Sequence, residues 1–215
     1  MEERSDTIFR CIPRNPRVLS TTEPVIDCRK GAQLEDSMPS DQPRDPAVEP
    51  PSEGSIRHAY PEEAATLSEL ALRSKARWGY DAAFLEACRE DLAITADDIA
   101  SASVFVLEEA ERVIGFYALR GAGAEALLTD LFVDPEHIGR GHGHRLWEHA
   151  AETARRSGFA ALTLHSDPHA EGFYRAMGAV RVGVVPSTVF AERLLPLMRF
   201  SLHDRRTSQG AVQME

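Results

Sequence analysis

The segment Leu127–Gly143 reads LLTDLFVDPEHIGRGHG. A β-branched and aromatic run passes through the turn Asp134-Pro135-Glu136. A loop with alternate glycines Gly139, Gly141 and Gly143 comes next, and helix-patterned residues follow at once. Glycines in that setting let backbone N–H groups approach a ligand with no Cβ in the way. A helix start adds free donors and the positive end of the helix dipole. The combination suits a phosphate or pyrophosphate. A Walker-type loop would need Lys and then Ser or Thr after its last glycine, but His144 and Arg145 stand there. The dinucleotide fingerprint wants GxGxxG after the first strand of a βαβ unit. Here the glycines are evenly spaced and four strand-like runs come before them. A plain glycine-rich turn is the remaining alternative.

The elements that must position this loop follow from hydrophobic period. SIRHA, from Ser55, reads as a first strand. Pro61-Glu62-Glu63 opens a helix, with proline in its first turn and acids near its N-terminus. Its apolar positions Ala64, Leu67, Leu70, Ala71 and Leu72 keep helical spacing. A second helix is expected over Ala82–Leu92. SVFVLEE and RVIGFYALR, joined near Ala110 and Glu111, form an antiparallel hairpin, and ALLTDLFV is the next strand. His142–Arg156 is amphipathic through Leu146, Trp147, Ala150, Ala151 and Ala154, with Glu152 and Arg156 as an i,i+4 pair and Gly158 as its stop. ALTLHS is a strand and HAEGFYRAM a helix closed by Gly178. AVRVGVV and LLPLMRF complete the sheet, and Pro196 argues for an edge or a bulge in the last run. The order is β-α-α-β-β-β-α-β-α-β-β, an α/β fold with a mixed sheet flanked by helices.

The chain has 215 residues and a formal net charge of −10. That charge disfavours nonspecific nucleic-acid binding, and no apolar run is long enough to span a bilayer. Cys11, Cys28 and Cys88 are odd in number, widely spaced and without CxxC, so neither a disulfide framework nor a zinc site is expected. Together with the absence of a secretory signal, this points to the cytoplasm. Residues 1–54 hold eight of the 13 prolines and one aromatic, Phe9. They are expected to be a disordered or weakly ordered extension. Residues 55–202 are expected to form one domain and 203–215 a loose tail. His137, His142, His144 and His149 cluster, but no cysteine or carboxylate completes a ligand set, so no metal is expected. The sequence leaves a homodimer open.

The element order and two separated motifs resemble the GNAT superfamily of acetyl-CoA-dependent N-acetyltransferases over roughly 55–202. LFVDPEHIGRGHG at Leu131–Gly143 is similar to the family's strand and pyrophosphate loop. SDPHAEGFYRAMGA at Ser166–Ala179 is similar to the helix that carries the family tyrosine. Two departures stand out. Ile138 occupies the usual Arg or Gln position, and Asp167 stands where many members have an Asn that bonds the cofactor arm.

The resemblance implies a direct transfer of acetyl from acetyl-CoA to a primary amine in a ternary complex. Gly139, Arg140, Gly141, His142, Gly143 and His144 would hold the pyrophosphate. Leu131, Phe132 and Val133 would pair with the pantetheine amides like an added strand, and a backbone N–H there would polarise the thioester carbonyl. Asp167 would accept a bond from the same arm. An alkylamine has a pKa of about 10.4 and must lose a proton before attack. Asp130 and Glu125 are the candidate bases, although a solvated strand-edge charge is the simpler account of Glu125. Tyr174 matches the family tyrosine that protonates the departing thiolate; a core aromatic is its alternative. Trp78 and Tyr80 would frame the acceptor, unless Trp78 only plugs the core between the helices. The acceptor is a small molecule or a peptide amine, with no nucleic acid and no membrane as partner. A rival is a non-catalytic acetyl-CoA-binding sensor or interaction module, which would need neither Tyr174 nor a base.

Overall fold

The computed structural model describes residues 54–202. The extension and tail expected at either end lie outside the described residues, apart from Gly54. That glycine is buried, and a Cβ on it would come within 2.4 Å of the Glu108 carbonyl oxygen.

The chain opens with β1 (Ser55–His58), followed by a 3₁₀ turn at Pro61–Glu63 and α1 (Ala64–Ala76). The expected helix over Ala82–Leu92 is two pieces, α2 (Ala82–Ala87) and α3 (Arg89–Leu92), meeting at Cys88. The break is slight, because the Cys88 N–H still reaches the Phe84 carbonyl at 3.1 Å. A further helix, α4 (Ala96–Ser101), was not expected. Thr95 and Asp98 form a reciprocal capping box that starts it, and six residues are too few to declare a helical period.

The hairpin β2 (Ser103–Glu109) and β3 (Arg112–Ala122) turns through Ala110 and Glu111, at φ 47° and 61°. A two-residue connection needs left-handed backbone at both positions to match the strand twist. β4 (Glu125–Val133), α5 (His142–Arg156), β5 (Ala161–His165), α6 (Glu171–Ala176), β6 (Val180–Pro186) and β7 (Leu194–Ser201) complete the order. Gly158 and Gly178, at φ 84° and 88°, terminate α5 and α6. Each is followed by a residue whose N–H reaches back to the last turn, Phe159 to Ala154 and Ala179 to Tyr174.

The sheet order is β1-β2-β3-β4-β5-β7-β6, antiparallel except between β4 and β5. β7 is therefore interior, so of the two alternatives drawn from Pro196 the edge fails, while the β6–β7 pairing does carry a bulge beside it. The proline is tolerated because it sits one residue past the last β5–β7 pair, where its carbonyl still accepts from Ser166 N–H at 2.8 Å. The bulge lies on β6, between Arg181 and Gly183.

The sheet buries a core on each face. Leu67, Leu70 and Ala71 of α1 pack with Val104, Val106, Phe116 and Phe132. Leu146, Trp147, Ala150 and Ala154 of α5 pack with Tyr117, Leu131, Val133, Leu162 and Leu164, and Phe173 and Tyr174 of α6 join them. Each fully buried large apolar side chain is worth roughly 1.5–3 kcal/mol, so α5 is held mainly by this stripe. Its surface pairs add little. Glu152 meets Arg155 more closely than Arg156, which is 3.9 Å away.

Candidate active site

Val133 ends β4, and the chain turns at once. The Asp134 carboxylate accepts from Glu136 N–H at 3.1 Å and from Arg73 at 2.9 Å. Burial alone would raise this carboxyl, but the bonds from Arg73 and the Glu136 backbone, with the charges of Arg73 and Arg112, hold it below the usual range. Gly139 and Gly141 follow at φ 83° and 84°. A Cβ at either would meet nothing within 4 Å. Glycine is needed there for the backbone conformation, and the outer side of the loop is open.

Gly141 is the N-cap of α5, and no side chain caps that helix start. Arg145 N–H closes the first turn on the Gly141 carbonyl at 3.1 Å. By helix geometry the N–H groups of His142, Gly143 and His144 then point outward from the first turn. His142 is buried, and burial holds its imidazole below the ordinary value. The ring is therefore neutral near pH 7. The His144 imidazole turns to Glu148, 2.9 Å away. Arg140 is exposed, and Ile138 packs against the core instead of offering a polar group. The donors of this loop are thus mainly backbone and dipole.

Beside the loop the sheet opens. β4 and β5 pair only at Glu125↔Ala161, Ala126↔Leu162 and Leu127↔Thr163, while β4 runs on to Val133. A bulge adds to the divergence: Ala118 faces Asp130 and Leu119 faces Leu128, so Thr129 is the extra residue. Leu131, Phe132 and Val133 are fully buried in the open half. Leu131 and Val133 face α5, and Phe132 faces α1. Asp130 lies opposite Ala118, which belongs to the α1-side core, so Asp130 is on the α1 face. Its carboxylate accepts from the Thr129 hydroxyl at 2.7 Å and is 2% exposed. Glu125 sits in the zipped half, paired with Arg199 at 2.9 Å; the structure does not bring it to Asp130. Four residues of strand separate Glu125 from the bulge, about 13 Å. Tyr174 is buried, edge-on to Trp147 at 5.5 Å and to Phe173 at 5.3 Å.

Asp167, just past the end of β5, is fully buried. Its carboxylate meets Arg193 at 2.8 Å, the Tyr80 hydroxyl at 3.0 Å, His169 N–H at 3.0 Å and Lys75 at 3.6 Å. Burial opposes its ionisation, but the Lys75 charge, the Arg193 bond and charge and the His169 N–H outweigh it and hold the carboxyl below the usual range. Tyr80 stacks on Phe84 at 4.2 Å, and Phe84 on Phe190 at 4.7 Å. Trp78 stacks on His169 at 5.0 Å and packs against the α1-side core. Tyr80 and Asp167 are therefore brought together, while the Asp167 oxygens are committed to protein groups. Lys75 and Arg193 were missed from the sequence. Lys75 had a signal: it falls four residues after Ala71, on the buried stripe of α1. Arg193 had none.

Among the described residues Asp134, Glu136 and His137 are close enough to share an ion. Arg73 and Arg112 already stand against these carboxylates, at 2.9 to 3.7 Å, and that positive charge opposes a cation there. A cavity of about 470 Å³ lies between α5, the end of α6 and β7, against Trp147, Met177 and Phe200. Of the loop residues only His144 borders it, so it is separate from the opening between β4 and β5.

A family model described as an acetyltransferase (GNAT) domain matches residues 59–192. No curated protein matches the chain. Among solved structures, the PaiA N-acetyltransferase of Thermoplasma acidophilum in complex with coenzyme A is 19% identical with a TM-score of 0.59, covering 69% of this chain and 98% of its own. The ribosomal-protein-S18-alanine N-acetyltransferase of Escherichia coli is 18% identical with a TM-score of 0.53, covering 72% and 97%. Ard1 of Thermoplasma volcanium is 18% identical with a TM-score of 0.53, covering 71% and 99%. These likenesses establish a shared fold.

Proposed function

The chain belongs to the GNAT acetyltransferase family, and from that premise we propose that it moves acetyl from acetyl-CoA to a primary amine by direct attack in a ternary complex. One observation carries the reading. A helix start with no side-chain cap, behind two left-handed glycines, lies at the end of the strand that has parted from its parallel neighbour. The loop fits a diphosphate, since its outer side is open where a Cβ would stand, and the parted strands leave a slot for an amide-bearing arm.

In this reading the backbone of Gly139–His144 takes the pyrophosphate, and Arg140 adds charge from the surface. The backbone of Leu131–Val133 holds the arm, and an N–H there stabilises the negative charge that grows on the thioester oxygen. Asp130 takes the proton that the acceptor ammonium must lose before its neutral amine attacks, directly or through water. Its place on the α1 face, hydrogen-bonded to Thr129, favours it over Glu125, which is tied to Arg199 in the zipped half. The Tyr174 hydroxyl returns a proton to the leaving thiolate. Atoms balance: the ammonium gives one proton to Asp130, the neutral nitrogen forms a bond to the acetyl carbon as the C–S bond breaks, a second proton leaves the nitrogen, and the sulfur takes one from Tyr174 and departs as a thiol. Trp78 and Tyr80 frame the acceptor. Asp167 shapes that side, with its oxygens held by protein partners. Among the described residues no helix is long and apolar enough to cross a membrane, and a cytoplasmic amine acceptor fits the acidic chain.

Two measurements test the proposal. Acetyl-CoA at about 100 times its Kd should stabilise the protein by about 2.7 kcal/mol, roughly 5–10 °C in Tm for a domain of this size. Thiol release on adding a panel of primary amines should then separate turnover from binding alone. No thermal shift would remove the cofactor assignment, and a shift without thiol release from any amine would leave a binding module.

A further inference from the structure

Among the described residues five large hydrophobic side chains are exposed, and four of them stand at one border of the sheet. Val180, Val182 and Val184 of β6 and Leu194 at the start of β7 are 45–60% exposed. β6 is the last strand in the sheet order, and among the described residues it pairs only with β7. One row of its backbone N–H and C=O groups therefore faces away from the sheet. The register tells which face each side chain takes. Val180 lies opposite Arg199 and Val184 opposite Pro196. Arg199 and Pro196 are an odd number of residues apart, so they stand on opposite faces of β7. Met198 belongs to the α5-side core. Pro196, Leu194 and Val184 share that face, and Val180 is on the α1 face. The extra residue Val182, at the bulge, makes the switch. One edge strand thus shows apolar side chains on both sides of the sheet.

A helix laid on one face would cover only part of this set. A strand added in the plane of the sheet meets all of it, because its own side chains alternate across both faces. The occupant therefore needs an open strand edge with apolar groups on both sides, and β6 is itself such an edge. Charge agrees with that choice. At the Val180 end Arg181 and Arg175 flank Glu171, at 3.5 and 2.7 Å, two arginines to one carboxylate. Beyond the Pro186 end the connection to β7 carries exposed Glu192, while Arg193 turns to buried Asp167. Antiparallel pairing of two β6 strands sets the arginine end of each against the Glu192 end of the other. We propose that a second copy of this chain docks here, β6 against β6 about a two-fold axis, so that the sheet continues across two molecules. This inference stands independently of the acetyl-transfer reading. A protected edge is the competing account: the bulge, and Arg181 whose Nε donates to the Gly183 carbonyl at 3.4 Å, are devices that keep strands apart.

Sedimentation velocity on the full chain at about 100 μM should give twice the mass of one molecule, since a micromolar Kd pairs nearly all chains at that concentration. Hydrogen exchange of the β6 amides should slow as the protein is concentrated toward that value. Val182→Lys brings two like charges together near the axis and should raise the dimer Kd by about 100-fold. Val182 is half exposed, so the Tm of the dilute variant should match that of the wild type. Arg181→Glu and Glu192→Arg should each weaken the dimer by about tenfold, because the axis repeats every contact, and the double reversal should recover part of the loss. Should Val182→Lys fail to fold, the charge reversals decide. A monomer at the same concentration overturns the proposal, whether its β6 amides exchange fast or are shielded by another segment of the same chain. So does a dimer that Val182→Lys and the reversals leave intact, which pairs through another surface, and so does a double reversal no tighter than the single ones.

Discussion

Two side chains of the proposed mechanism have single-atom consequences. Replacing Tyr174 with Phe keeps the ring that packs on Trp147 and Phe173 and removes only the hydroxyl. Turnover should fall by about 100-fold, with acetyl-CoA affinity by calorimetry unchanged; unaltered steady-state turnover would reject the acid role. Gly141→Ala tests the loop. A Cβ there meets no neighbour, so the penalty comes from φ 84° alone, about 1–2 kcal/mol. Coenzyme A affinity should weaken by roughly tenfold, and Gly141→Asn should weaken it less, because Asn tolerates the left-handed region. Equal losses would mean that backbone conformation is not the cause. The loop was legible because glycines at fixed offsets declare a backbone. The cation pair was not, because Lys75 and Arg193 owe their meaning to Asp167, which is remote from both in sequence.

At the scale of elements, legibility followed length and locality. α5 declared itself with a 15-residue apolar stripe, and its boundaries were found as expected. α4, six residues long, had only the Thr95-x-x-Asp98 cap to announce it. The parting of β4 from β5 has no local signal, since it depends on register between strands and on the bulge at Thr129. Pro196 misled about the edge for the same reason: proline reports a missing donor, and only the end of β5 shows why that donor is not needed. Trp147 couples α5 to the site by packing on both Tyr174 and Phe200, at 5.5 and 5.3 Å. Trp147→Ala should cost about 3–5 kcal/mol in urea denaturation. It should also lower turnover in protein that remains folded, since the Tyr174 ring loses its wall. Full activity at native stability would show that α5 does not position Tyr174.

The whole molecule is a sheet with two cores, parted at one end, and that end is laced together by charge. Asp167 ties α1, the segment after α1, the end of β5 and the β6–β7 connection into one body. Its folded carboxyl lies below the usual range, whereas in the unfolded chain it titrates near 3.9, or about 4. A depressed acid contributes stability that is fully present above the unfolded value and is lost as pH falls through the folded one. Asp134, held low by Arg73 and Arg112, acts in the same direction. The protein should therefore keep this contribution at neutral pH and lose it below about pH 4. Asp167→Asn leaves two cations around a neutral amide, and at pH 7 it should cost about 3 kcal/mol. The gap between variant and wild type, read from urea midpoints at successive pH values, should close as the wild-type carboxyl protonates. A gap that stays constant down to pH 3 would mean that Asp167 contributes by shape and hydrogen bonding, with no stabilisation from its charge.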